Sequence, residues 1–169
     1  MDEATRKQII SIIDDVDDLT IGANKPIGGV GIRIARQSLE RMKRKMKQMT
    51  RRNQGRSLEE IRDRLNPVIV GWVNYYALAD GRVHMARFDE WLRRRMRQIA
   101  WKQWKTPRNR RENLRMRGVS EFWAVRAGGT SLGPWRMSKS PPVHHALNNT
   151  VWLEFGLRSF QKQYQIRHT

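Results

Sequence analysis

The sequence predicts a mainly α fold, a helical bundle followed by a smaller, loop-rich and mostly helical C-terminal region, and three observations carry that prediction. Leu39, Met42, Met46 and Met49 recur at steps of three, four and three, the repeat of one helix face. Ser57-Leu58-Glu59-Glu60 has the form of a capping box, in which a serine and a glutamate three residues on serve each other's backbone N–H groups. Phe88, Trp91, Leu92, Met96, Ile99 and Trp104 mark a further apolar stripe with charged residues around it, the pattern of an amphipathic helix.

Taken in order, Ile9, Ile10, Ile12 and Ile13 suggest a short helix within residues 4–16, and Pro26 with Gly28-Gly29 marks 22–31 as a linker. From about Ile32 the pattern is helical until Asn53, Gln54 and Gly55 stop it. The second helix starts at the capping box and runs through Ile61, Leu65, Ile69, Trp72, Val73 and Tyr76. Pro67 inside it removes one backbone donor, which predicts a kink within one helix rather than two helices. Asp80-Gly81 is expected to close it, and a third helix covers about 88–105 until Thr106-Pro107. A short basic helix over 108–117 then stops at Gly118. Residues 121–127 fit either a strand or a helix. Gly128-Gly129, Gly133-Pro134 and Pro141-Pro142 mark loops, and 143–164 reads as two short helices interrupted at Asn148-Asn149 and Gly156.

The 169 residues suffice for one domain or two small ones. Seven tryptophans and 38% hydrophobic residues exclude a wholly disordered chain. Charge is the outlier: 34 Lys and Arg against 16 Asp and Glu give +18. Residues 1–25 hold three basic and six acidic side chains, a net of −3, so the other 144 carry +21. Like charge at that density repels itself in a compact fold unless a polyanion neutralises it, so nucleic acid is the leading partner and an anionic membrane surface its rival. No apolar run is long enough to span a bilayer, no membrane partner is expected, and the N-terminus has neither a signal nor a transit pattern. The absence of cysteine removes disulfides and thiolate zinc sites and fits a reducing compartment, expected to be the bacterial cytoplasm.

Candidate chemistry is sparse. Asp14-Asp15-Val16-Asp17-Asp18 could be read as a magnesium site, but a solvated acidic turn explains it better, with no third carboxylate recognisably placed. His84, His144, His145 and His168 lack zinc-ligand spacing. No phosphate-cradling glycine loop or nucleophile motif is present, so neither cofactor, metal nor catalytic residue is expected. Aromatic residues interleave with the charge. Trp72 and Trp91 sit on inward stripes and are expected in the core, whereas Trp101 and Trp135 lie off them and stay open between core and surface.

The run from Ser57 to Tyr76, ending Gly71-Trp72-Val73-Asn74-Tyr75-Tyr76, resembles the signature of the group II intron maturase-specific domain. Met49-Thr50-Arg51-Arg52-Asn53 before it fits as well. So do Phe88-Asp89-Glu90-Trp91-Leu92, Trp101-Lys102-Gln103-Trp104, Gly133-Pro134-Trp135-Arg136-Met137-Ser138 and Ala146-Leu147-Asn148-Asn149 after it. The likeness covers about 31–164, in the family's order. It implies that residues 31–105 form the thumb of a reverse transcriptase, which closes on template and primer and grips folded intron RNA. Residues 106–169 then resemble the basic region after the thumb, which touches RNA or target DNA. Residues 1–30 do not match, and the fingers and palm with their catalytic carboxylates have no counterpart, so no enzymatic activity is expected of this chain alone.

The expected function is to bind group II intron RNA and assist its splicing; the alternatives are a thumb fragment working with a separately supplied reverse transcriptase palm, and a general nucleic-acid-binding module. Phosphates are expected on Lys43, Arg44, Lys47, Arg51, Arg52, Arg93, Arg94, Arg97, Lys102 and Lys105, extended by Arg108, Arg110 and Arg111. Asn74 and Tyr75 read equally as core pins or RNA contacts. The oligomeric state is not legible.

Overall fold

A computed structural model describes residues 19–21 and 32–168. The helix expected over 4–16, the acidic cluster at 14–18 apart from its surroundings, and the linker at 22–31 lie outside the described residues. Strands β1 (Leu19–Ile21) and β2 (Ile32–Ile34) pair antiparallel, with Leu19 opposite Ile34 and Ile21 opposite Ile32. The helices are α1 (Arg36–Met49), α2 (Leu58–Tyr75), α3 (Arg82–Gln103), α4 (Pro107–Met116), α5 (Glu121–Gly128), α6 (Pro134–Met137), α7 (Pro141–Ala146), α8 (Asn149–Glu154) and α9 (Phe160–Arg167). The mainly α expectation holds.

Among the described residues, those up to 49 together with 59–90 and 157–168 form one compact unit, and 50–58 with 91–156 form another. These units group residues by contact, whereas the divisions at 30/31 and 105/106 follow family likeness.

In the first unit, α1 buries Met42, Met46 and Met49, the repeat read from the sequence. Helix α2 begins directly after Ser57 and runs unbroken through Pro67, burying Ile61, Leu65, Ile69, Trp72 and Val73. Trp72 meets Phe88 and Phe160 edge-on, with centroids 5.4 and 6.1 Å away, a favoured aromatic geometry. Two expectations are corrected here. Ile32 to Ile34 is strand, not helix, because its partners are distant in sequence: β1, and Asp80, whose N–H donates to the Ile32 carbonyl at 2.8 Å. Asp80-Gly81 opens α3 instead of closing α2. The Gly81 carbonyl accepts from the Met85 N–H, and a Cβ on Gly81 would lie 2.8 Å from Ile34 Cδ1, so a larger residue there would make the end of that side chain shift.

The C-terminal segment belongs to the same unit through polar anchors. Asp89, 3% exposed, accepts from the Ser159 hydroxyl at 2.6 Å and from the N–H groups of Phe160 and Gln161 at 2.8 and 3.0 Å. A carboxylate there satisfies the orphan donors at the start of α9 and complements its dipole. The Tyr164 hydroxyl donates to the Ala79 carbonyl at 2.7 Å. Asn66 Oδ1 accepts from the Arg158 N–H.

In the second unit, the later part of α3 is buried continuously from Met96 to Trp101. Helices α4 and α5 pack closely: a Cβ on Gly128 would stand 3.0 Å from the Pro107 carbonyl oxygen. Thr106 caps α4 by accepting from the Asn109 N–H, with Pro107 in the first turn. Residues 121–127, open between strand and helix, are helix. The two helices expected over 143–164 become α7, α8 and α9. Asn148 separates the first pair by capping α8, its Oδ1 accepting from Thr150 and Val151, and Gly156 at φ +84 separates the second.

Candidate nucleic-acid interface

The basic side chains named from the sequence have different fates. Arg97 is 4% exposed and donates through Nε to the Ser138 carbonyl at 2.9 Å. Its expected place on an RNA-facing surface is therefore corrected: it lies in the continuously buried stretch of α3 and its guanidinium is used inside the unit. Lys102 is exposed, but its Nζ reaches Asn53 Oδ1 at 2.9 Å and the Arg52 carbonyl at 3.3 Å. Gln103 donates to the Arg56 carbonyl at 2.9 Å. Arg95 donates to both the side-chain and the backbone oxygen of buried Thr50. Three side chains of α3 thus hold the loop between α1 and α2 in one shape.

That loop presents Arg51, Arg52 and Asn53 to solvent. With Gln54, Arg95, Gln98 and Trp135 they line a cleft of about 690 Å³, with no carboxylate in its wall. Burial pulls the Arg95 guanidinium below its ordinary range, a desolvation that a bound anion would offset. Trp135, open between core and surface, is 39% exposed and carries the Arg94 guanidinium 3.6 Å from its ring centroid. Arg94 Nε also donates to Ser138 Oγ at 3.5 Å, and that hydroxyl donates to the Trp135 carbonyl at 2.7 Å. Arg93 is half-buried.

On α4 the arginines meet rings and carboxylates. Arg110 lies 4.9 Å from the Trp101 centroid and Arg117 lies 5.3 Å from that of Trp104. Trp101 is fully buried, which resolves it as core. Arg111 and Arg115 both pair with Glu121, Arg115 at 2.8 Å. Lys105 and Arg108 are exposed. Lys43, Arg44 and Lys47 are exposed on α1 in the first unit. Trp91, expected in the core, is only half-buried, with Arg95 5.1 Å from its ring. Asn74 is exposed and accepts from Arg167 Nε at 2.9 Å, and half-buried Tyr75 meets Tyr76 edge-on, so neither is a buried pin.

Of the residues expected to hold phosphates, Arg51 and Arg52 converge on the cleft; Arg95 and Gln98 lie outside that expected set. Arg95 is visible in the run Arg93-Arg94-Arg95, whereas nothing in the sequence marks Gln98. Among the described residues no group of three or more His, Asp or Glu side chains could hold a metal ion, and no helix is long and apolar enough to cross a membrane.

The sequence model of the family described as group II intron, maturase-specific domain matches residues 39–118, from within α1 to just beyond α4. No curated protein matches the chain.

Proposed function

We propose, from the match of residues 39–118 to the model of the group II intron maturase-specific domain family, that the chain binds group II intron RNA and assists its folding and splicing. The observation that carries the reading is that the matched segment holds Arg51, Arg52 and Arg95 around one cleft whose wall has no carboxylate. Phosphates neutralise such a site and release their counterions, which makes binding tight in dilute salt and weak in concentrated salt. The protein's part is to hold the RNA in a splicing-competent fold, and the chain itself performs no chemical step. The working place is the bacterial cytoplasm, where the transcript is made.

The test is competition between a group II intron transcript and a structured RNA of equal length, measured at one stated salt concentration. Preference for the intron of tenfold or more, on the order of 1.4 kcal/mol, is expected. Equal affinity would leave a general polyanion binder in its place.

A further inference from the structure

We propose that the cleft between the 50–54 loop and Trp135 is a site for one unpaired nucleotide, its base stacked on Trp135 and its phosphate held by Arg51 and Arg52. The inference rests on the RNA-binding reading and adds which part of the RNA this cleft takes. Phosphate binding needs only cations, and the cleft has more.

Trp135 is one added feature. Its ring is 39% exposed although Arg94 already lies 3.6 Å from its centroid. The guanidinium packs on the ring and Ser138 holds the Trp135 backbone carbonyl before any ligand arrives, and a side chain already packed loses little freedom when a base stacks on it. Duplex bases are stacked on each other and unavailable, so such a platform selects an unpaired one.

Gln98 is the other. It is 8% exposed and lines the cleft, and its carboxamide makes no hydrogen bond among the described residues. The amide carries both a donor and an acceptor. A base edge offers the complementary pair, which a phosphate does not. The volume of about 690 Å³ lies inside the range of roughly 300–1,000 Å³ typical of small-ligand sites, too small for a duplex to enter.

The experiment compares a blunt RNA hairpin with the same hairpin carrying a five-nucleotide single-stranded tail, by fluorescence anisotropy with the full chain. The wild type should prefer the tailed hairpin. Trp135→Ala should reduce that preference roughly tenfold, within the range of base–aromatic stacking, while Trp135→Phe retains most of it. Gln98→Leu, which fills the same space without the amide, should also reduce it, and circular dichroism of each variant checks folding. A tailed-to-blunt ratio unaltered in both Trp135→Ala and Gln98→Leu would overturn the nucleotide site and leave the RNA-binding reading intact. Failure of the wild type to bind either hairpin in dilute salt would overturn both. Adding free adenosine monophosphate separates a strand site from a mononucleotide site: weak competition is expected, and full displacement at micromolar concentration would contradict a strand-borne nucleotide.

Discussion

In the first unit the buried charge is a carboxylate, Asp89, enclosed by a hydroxyl and two backbone donors at the start of α9. In the second it is a guanidinium, Arg97, set against the Ser138 carbonyl, while Arg94, Arg95, Arg110 and Arg117 lie over tryptophan rings. The first arrangement is closed, since Asp89 has its donors within the fold. The second spreads its cations over rings and hydrogen bonds together: Arg94 also donates to Ser138, Arg95 to Thr50 and Arg117 to Asn113. A high count of basic residues is therefore not a count of phosphate ligands. What decides is whether the fold has already engaged the donor.

Substitutions can break or sharpen that contrast. The largest effect is expected from Asp89→Ala, which strips the buried N–H of Phe160 of its acceptor and should cost about 3 kcal/mol in urea unfolding. A loss below about 1 kcal/mol would mean that water serves those donors equally well. Arg97→Met keeps the aliphatic stem and removes the bond to Ser138, with an expected loss of about 2 kcal/mol. At equal folded fraction its RNA affinity should match the wild type; unchanged stability with weakened binding would make Arg97 a phosphate ligand after all. The smallest effect belongs to Glu121→Gln. Its pairs with Arg111 and Arg115 are about half exposed, so stability should move by less than about 1 kcal/mol. RNA binding in dilute salt should tighten about twofold as two cations are released.

The sequence made the helical scaffold legible where local rules govern it. The methionine repeat of α1, the helix start after Ser57 and the continuity through Pro67 all depend on neighbours within a few residues. What stayed hidden depends on distant partners. Ile32 to Ile34 becomes strand because β1 and Asp80 pair with it. Asp80-Gly81 leads into a helix after Asp80 pairs with Ile32, a partner far away in sequence. Trp101 and Arg97 lie in a stretch buried for six consecutive residues, where no apolar periodicity can separate inside from outside. In the candidate site, Arg51 and Arg52 were legible as charge on a loop. Gln98 was not, because an amide on a helix acquires meaning only from the cleft it lines.

The central claim is that Arg51 and Arg52 are donors the fold leaves for RNA phosphates. The most direct measurement is the dependence of RNA affinity on salt for the wild type and for the double variant Arg51→Gln, Arg52→Gln, with circular dichroism showing equal helicity. Two lost phosphate contacts should flatten the slope of log K against log salt by about 1.4 to 1.8. An identical slope and affinity in the two proteins would contradict the claim.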